Sequence, residues 1–379
     1  MISAFWLAAG IVLYVNVGYP LLIALAALLR QPLAERAPKA LPTVTLLLVV
    51  HNEEDCIEAK LESLMALDYP KDRLEIEVIS DASTDATESI VRRFEDRGVR
   101  LLRLPGPRGK AACLNEAVPR ARGEILVLTD ARQSLAPDAV RRLVGYLGNP
   151  EVGAVSGELL LEAPSSRPAR GVGLYWRYEK LIRRAESRFD STVGVTGALY
   201  AIRKELFPVL DPRTILDDVV IPMNVVRAGH RVLFAPEAEA RDVVHESPAR
   251  EYRRKVRTLA GNLQLVSLEP WLMSPWRNRL FIQFLSHKLA RLLVPWCLPP
   301  LLVLSAILAM QGRFVYALIL GAQVLLYALA LAGGLAARSG RTLPFVSGPY
   351  AFVLLNAAAG HAWLSYLRGA QKATWRAIT

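Results

Sequence analysis

Between Met1 and Leu29 there is no charged side chain, and three more apolar runs, 292–310, 314–337 and 343–367, dominate the other end of the sequence. An α-helix needs roughly 20 apolar residues to cross the hydrocarbon core of a bilayer. The runs therefore predict an N-terminal transmembrane helix over 1–30 and about three C-terminal transmembrane helices within 292–367, with the rest folded between them. A cleaved signal peptide fits less well, because no basic segment precedes the first run and the run exceeds the usual apolar length. Arg30, Arg36 and Lys39 come after it as a basic flank. Pro295, Pro299 and Pro300 predict that the first late run is kinked or partly re-entrant.

The distribution of charge narrows the partners. The net charge is +11, yet from Arg250 onward there are 15 Lys and Arg against two acids, Glu251 and Glu269. The excess lies wholly in the most apolar part, where basic residues face anionic lipid headgroups. A lipid bilayer is thus expected as a partner and nucleic acid is not. Residues 250–291 mix Trp, Phe and Leu with Arg and Lys, the profile of amphipathic helices lying in the membrane interface, and 368–379 forms a basic tail. Cys56, Cys113 and Cys297 form no CxxC pair, which excludes a disulfide framework or thiolate zinc site and points to a reducing compartment. The late spans contain almost no internal acids to mark a transport path.

After a Pro-bearing linker over 31–42, residues 43–249 alternate short apolar runs with helical spacing. Val44–Val50 reads as a strand covered on both faces, Ile76–Ser80 and Val99–Leu104 as further strands, and the run from Glu124 to Asp130 as a buried strand with the aspartate just past its carboxyl end. Strands alternating with helices predict an α/β fold with a parallel, doubly wound sheet, whose ligands gather beyond the strands' carboxyl ends. Those ends carry His51-Asn52-Glu53, Asp81 and Asp130. The first is acidic and free of glycine, so it does not cradle phosphate as a Gly-rich turn would. It suits hydrogen bonding to a base or ribose, or alternatively favours the first turn of the next helix. At Asp130, a metal or diphosphate anchor competes with a turn cap.

Three further features carry chemistry. Lys110 follows a Gly-Pro loop at a helix start, where a cation opposes the macrodipole, a sign of a neighbouring anion. Val195–Arg203 reads as a strand interrupted at Gly197, where a backbone approaches something closely. Asp217 and Asp218 share a helix entrance that needs one N-cap, leaving a second carboxylate suited to general base work.

Taken in order, His51-Asn-Glu, Ser80-Asp81-Ala-Ser-Thr-Asp85, Gly109-Lys110-Ala with Asn115, Thr129-Asp130-Ala, Val195-Thr196-Gly197 running to Arg203, and Leu216-Asp217-Asp218 resemble the membrane-bound family 2 glycosyltransferases, the group of cellulose, hyaluronan and poly-N-acetylglucosamine synthases. The resemblance implies a GT-A (nucleotide-diphospho-sugar transferase), Rossmann-like domain flanked by transmembrane helices. It assigns His51, Asn52 and Glu53 to a uridine pocket, Asp81 to the nucleoside, Lys110 to the diphosphate or uracil side, and Asp130 to a divalent metal, Mg2+ or Mn2+. Thr196 and Gly197 fall at the acceptor terminus. Asp218 takes the position of the base, with Asp217 beside it.

Two positions depart from the family pattern. Arg132 stands where the family has a second metal-site aspartate, leaving fewer ligands for the ion or a cation facing the diphosphate. Arg254-Lys-Val-Arg257-Thr258 keeps only the arginine of the Gln-x-x-Arg-Trp signature, so Arg257 remains to stabilise the diphosphate while the acceptor-stacking Trp is missing. The expected activity is inverting, metal-dependent transfer from a UDP-sugar donor to a polysaccharide or lipid-linked acceptor at the cytoplasmic face of the inner membrane. The competing reading is a membrane-anchored, nucleotide-binding assembly subunit without catalysis, working with other polysaccharide-assembly subunits.

Overall fold

The computed structural model describes residues 1–33, 35–36, 38, 40–162, 170–243, 248–339 and 343–370. Lys39, Lys372 and Arg376 lie outside them. The apolar N-terminus forms α1 (Ile2–Leu13) and α2 (Tyr19–Leu28), joined by a single π-helical turn, Tyr14–Gly18. Next come β1 (Val44–Val50), α3 (Ile57–Met65), β2 (Leu74–Asp81), α4 (Thr87–Arg92), β3 (Val99–Leu104), α5 (Lys110–Ala117), β4 (Ile125–Leu128) and β5 (Ser134–Leu135). The chain continues through α6 (Ala139–Leu147), β6 (Val152–Glu162), α7 (Arg170–Phe189), β7 (Tyr200–Arg203), α8 (Asp217–Arg227), β8 (Arg231–Val243) and α9 (Pro248–Leu268).

These strands make one sheet in the order β3-β2-β1-β4-β7-β6-β8-β5. Strands β1 to β4 pair in parallel; β1 lies inside the sheet with every residue buried, and β3, which carries Arg100 and Arg103, forms its edge. The sheet as a whole is mixed rather than parallel, which corrects the expectation. β7 runs antiparallel to both β4 and β6, and β5 antiparallel to β8. The register explains β7: its first residue, Tyr200, sits opposite the last residue of β4, Leu128. A strand entered at the carboxyl end of its neighbour has only the antiparallel direction open to it. The strand is also shorter than the run Val195–Arg203, with Thr196 and Gly197 in the turn that feeds it.

One apolar layer packs β1 and β2 against α3 and α6, with Leu46, Leu48, Leu61, Val78 and Leu143 buried. The opposite layer packs Leu47, Val49, Leu114 and Leu126 with Val220 and Met223 of α8. Both faces are covered, so the polar groups at the strand ends are the sheet's main outlet to a ligand.

Beyond α9 come α10 (Phe281–Phe284), a second π-helical turn (Leu285–Leu289), α11 (Val294–Met310), α12 (Phe314–Arg338) and α13 (Pro344–Leu367). Two helices, Ile2–Leu28 and Phe314–Ala337, are long and apolar enough to cross a membrane by length and composition. The pair Phe281–Leu292 and Val294–Met310 meets the same test jointly but bends by 56°. The bend falls just before the prolines of α11 and not within them.

Candidate active site

The site begins with β4. Thr129, buried at its end, donates from Oγ1 to the Ala198 carbonyl at 2.6 Å, tying the β4 terminus to the turn before β7. From beneath, Lys60 of α3 donates Nζ to Thr129 Oγ1 and to the Gln133 carbonyl, each at 2.7 Å, and is 2% exposed. Burial pushes this ammonium down to about 7, with Asp130 pulling the other way. Lys60 was missed in the sequence, although it occupies the same apolar helix face as Ile57, Leu61 and Leu64. A lysine in that stripe has to find acceptors inside the protein.

Held in this way, the Asp130 carboxylate stands 47% exposed at the crevice. Lys110 Nζ donates to Asp130 Oδ1 at 2.9 Å and lies 3.5 Å from Asp217 Oδ2, an ion-pair distance without a hydrogen bond. Burial works against the lysine's charge, but Asp130 and Asp217 overcome it and hold Lys110 well above its ordinary value. The anion expected near Lys110 is thus the protein's own pair of carboxylates. Gly197 completes this corner: a Cβ there would stand 3.2 Å from Asp130 Oδ2. Thr196 is buried, with its N–H on Ser156 Oγ at 3.0 Å.

Asp217 and Asp218 open α8, as expected for carboxylates at a helix N-terminus. Asp217 is 8% exposed. Asp218 is half-buried, and its carbonyl accepts the Val195 N–H at 2.9 Å. Burial first, and Asp217 second, raise the Asp218 carboxyl to about 6, while Lys288, Lys110 and Arg183 oppose the rise. Arg257 of α9 faces both aspartates; burial pulls it below its usual value against their attraction. Arg254, one turn earlier, is exposed. Tyr200 is fully buried, and its hydroxyl has no hydrogen-bond partner among the described residues, although it feels Asp217, Asp218 and Asp130.

The remaining expected residues form a second group beside this one. Asp81 is fully buried and accepts the backbone N–H groups of Arg108 and Gly109 at 2.7 and 2.8 Å. Both of its oxygens fasten the loop that delivers Lys110. His51 Nδ1 lies 2.7 Å from the Asp81 carbonyl. Asn52, at φ 55°, accepts the Thr84 N–H on Oδ1 at 2.8 Å. Glu53 receives the Cys56 thiol at 3.2 Å and is raised by burial, with Arg132 acting against that rise. Arg132 itself is exposed.

Among the described residues no three His, Cys, Asp or Glu side chains cluster as a metal cage. A hard ion fits by another route, since Mg2+ commonly takes one or two carboxylates together with substrate phosphates. Asp130, with Oδ2 outside the Lys110 contact, offers such an oxygen.

Comparison with known proteins agrees with this geometry. Residues 45–210 match glycosyl transferase family 2. Over 239 residues the chain is 27% identical to the probable glycosyltransferase YdaM of Bacillus subtilis, covering 60% of this chain and 57% of that one. It is 24% identical over 234 residues to a poly-beta-1,6-N-acetyl-D-glucosamine synthase of Staphylococcus epidermidis, covering 60% and 56%. The chain therefore spans a little over half the length of these curated relatives. Among solved structures, the mannosyltransferase PcManGT from Pyrobaculum calidifontis, in complex with GDP-Man and Mn2+, superposes with a TM-score of 0.70 at 26% identity, over 96% of this chain and 99% of that one. From strand ends through sheet order to these matches, the conclusion is that the chain carries a family 2 glycosyltransferase domain of GT-A fold.

Proposed function

We propose that the protein is an inverting, divalent-metal-dependent glycosyltransferase that moves a sugar from a nucleotide donor to a polysaccharide or lipid-linked acceptor at the cytoplasmic membrane face. The observation that carries this reading is Asp218, a half-buried carboxyl raised to about 6 at the mouth of α8. A group titrating there is ionised at neutral pH yet basic enough to take a proton from an acceptor hydroxyl. Lys110, Asp130 and Arg257 supply the opposing electrostatics for a departing diphosphate. A Mg2+ or Mn2+ ion on Asp130 would neutralise the charge that develops there. A base across the site from the leaving group makes single displacement with inversion the natural course.

The donor on the motif resemblance is a UDP-sugar, with His51, Asn52 and Glu53 at the base. The Pyrobaculum protein holds GDP-Man, so GDP-mannose belongs in the same screen. Two helices long and apolar enough to cross a bilayer, together with the bent pair, support the reading of a multi-pass membrane protein, and the basic residues after α2 support a cytoplasmic domain.

Asp218→Asn is the direct test. Transfer from the screened donor should fall on the order of 10²- to 10⁴-fold while nucleotide binding survives; an unimpaired variant removes Asp218 from the base position. The second reading, a nucleotide-binding assembly subunit without catalysis, draws on Lys110 sitting on Asp130 where a metal would bind. Manganese-dependent hydrolysis of nucleotide sugars by the purified chain separates the two.

A further inference from the structure

Three side chains meet where β4, α5 and α8 converge, and their hydrogen bonding is uneven. Lys110, the first residue of α5, donates Nζ to Asp130 Oδ1 at 2.9 Å and stops 3.5 Å from Asp217 Oδ2. That second oxygen is buried and has no hydrogen-bond partner among the described residues. A buried carboxylate oxygen without a donor is costly and is rarely left so in a folded protein. Here a donor stands close by: 3.5 Å against 2.9 Å leaves it short by 0.6 Å. Both carboxylates are fixed in place. Asp130 follows Thr129, which is fastened to the Ala198 carbonyl and to Lys60. Asp217 opens α8, whose entrance is held by the Val195 N–H on the Asp218 carbonyl and by the Val219 and Val220 N–H groups on the Leu216 carbonyl. The backbone ahead of Lys110 is pinned as well, by Arg108 and Gly109 on Asp81. What is left to move is the lysine side chain, a flexible stem ending in three rotatable donors.

Asp130 is also the carboxylate proposed to hold the divalent ion, and an ammonium and a dication on one carboxylate repel each other. Passing Nζ to Asp217 separates the two cations and gives the buried oxygen the donor it lacks. Asp217 suits the part, being 8% exposed and placed at a helix N-terminus, where the macrodipole favours negative charge. Asp130, 47% exposed, is the more open of the two to an incoming ion.

We infer that Asp217 is a positioning residue for the metal site: it receives the Lys110 ammonium from Asp130 when Asp130 takes a divalent ion, so that one lysine first covers the metal carboxylate and then clears it. This deepens the proposed function and rests on it for the ion at Asp130. In this assignment Asp217 is not a ligand of the ion, and its influence on metal binding runs through Lys110.

The test is Mn2+ binding by the purified full chain in a neutral detergent, read from the electron paramagnetic resonance of free Mn2+. The parent is compared with Asp130→Asn, Lys110→Gln, Asp217→Asn and the double variant Lys110→Gln/Asp217→Asn. Lys110→Gln should tighten binding, and Asp217→Asn weaken it, each by roughly tenfold or more. In the Lys110→Gln background, Asp217→Asn should change affinity by no more than about twofold. An equal loss in both backgrounds means that Asp217 acts on the ion directly and overturns the proposal, as does a Lys110→Gln variant that binds no more tightly than the parent. Asp130→Asn reports separately on the metal site itself: Mn2+ that binds parent and this variant alike, or none of the proteins at all, overturns both the ion at Asp130 and the transfer of Lys110. Should the Asp217 variants not fold, the parent protein suffices. Its structure determined with Mn2+ should place Nζ about 3 Å from Asp217 Oδ2 and out of hydrogen-bond reach of Asp130 Oδ1, and an Nζ still bonded to Asp130 overturns the transfer.

Discussion

The two sides of the crevice treat their polar groups in opposite ways. On the side of β1 to β4, charges are satisfied within the protein: Asp81 by two backbone N–H groups, Lys60 by a hydroxyl and a carbonyl, Lys110 by two carboxylates. On the side of α7 and the bent pair, Arg183 and Lys288 make no hydrogen bond or ion pair among the described residues and are balanced at longer range, Lys288 by Asp218 ahead of Glu179 and Glu186. A directly paired network holds its geometry before any ligand arrives, whereas charges balanced only at longer range keep their hydrogen-bonding groups open.

The sharpest way to break that contrast is a pair of substitutions of equal size. Lys110→Gln leaves Asp130 and Asp217 without their shared cation, and stability should fall by about 2 kcal/mol, less than for a fully buried pair because Asp130 is 47% exposed. Lys288→Gln removes one of two repelling charges and should leave the denaturation midpoint unchanged or higher. If the two variants lose stability equally in chemical denaturation, the two sides do not differ.

A smaller effect concerns pH. Asp218 is raised to about 6, so it carries a proton below that value and cannot accept one. Transfer should therefore decline as pH falls through about 6, and in Lys288→Gln, which lacks an opposing cation, the acid limb should move to higher pH. A pH–rate profile with no acid limb between pH 5 and 7 contradicts this. The smallest change is Tyr200→Phe. Its hydroxyl is buried and without a partner among the described residues, and removing such a group should stabilise the fold by about 1 kcal/mol or less. A destabilised variant would mean that the hydroxyl has a partner after all.

Much of the strand-end group around Asp130 was legible in the sequence because it rests on position along a strand. Val44–Val50, but for Thr45, and Ile125–Leu128 are apolar and are followed by polar residues, which marked out β1, β4 and the exposure of Asp130. The adjacent Asp217 and Asp218 likewise declared one carboxylate more than a cap requires. The hidden part depends on contacts between distant segments. No pattern around Asp81 reveals that residues 108 and 109 consume both its oxygens, and no pattern at Lys110 reveals that its anion is internal. Lys288 sits in an ordinary Ser-His-Lys between apolar residues, and no local pattern reveals that its Nζ comes to the turn at Gly194 beside Asp218.

The two π-helical turns, Tyr14–Gly18 and Leu285–Leu289, touch: the Tyr14 hydroxyl shares a hydrogen bond with Ser286 Oγ at 2.7 Å, and the Tyr19 and His287 rings lie 6.2 Å apart. A π-turn amounts to one residue more than an α-helical turn accommodates, and each added residue rotates the downstream helix by about 100°. The aim of Lys288 is thereby a matter of counting. Deleting one residue from 285–287, ahead of Lys288, would restore a regular helix while swinging Lys288 by about 100°, so this short stretch should tolerate substitution far better than any change in length.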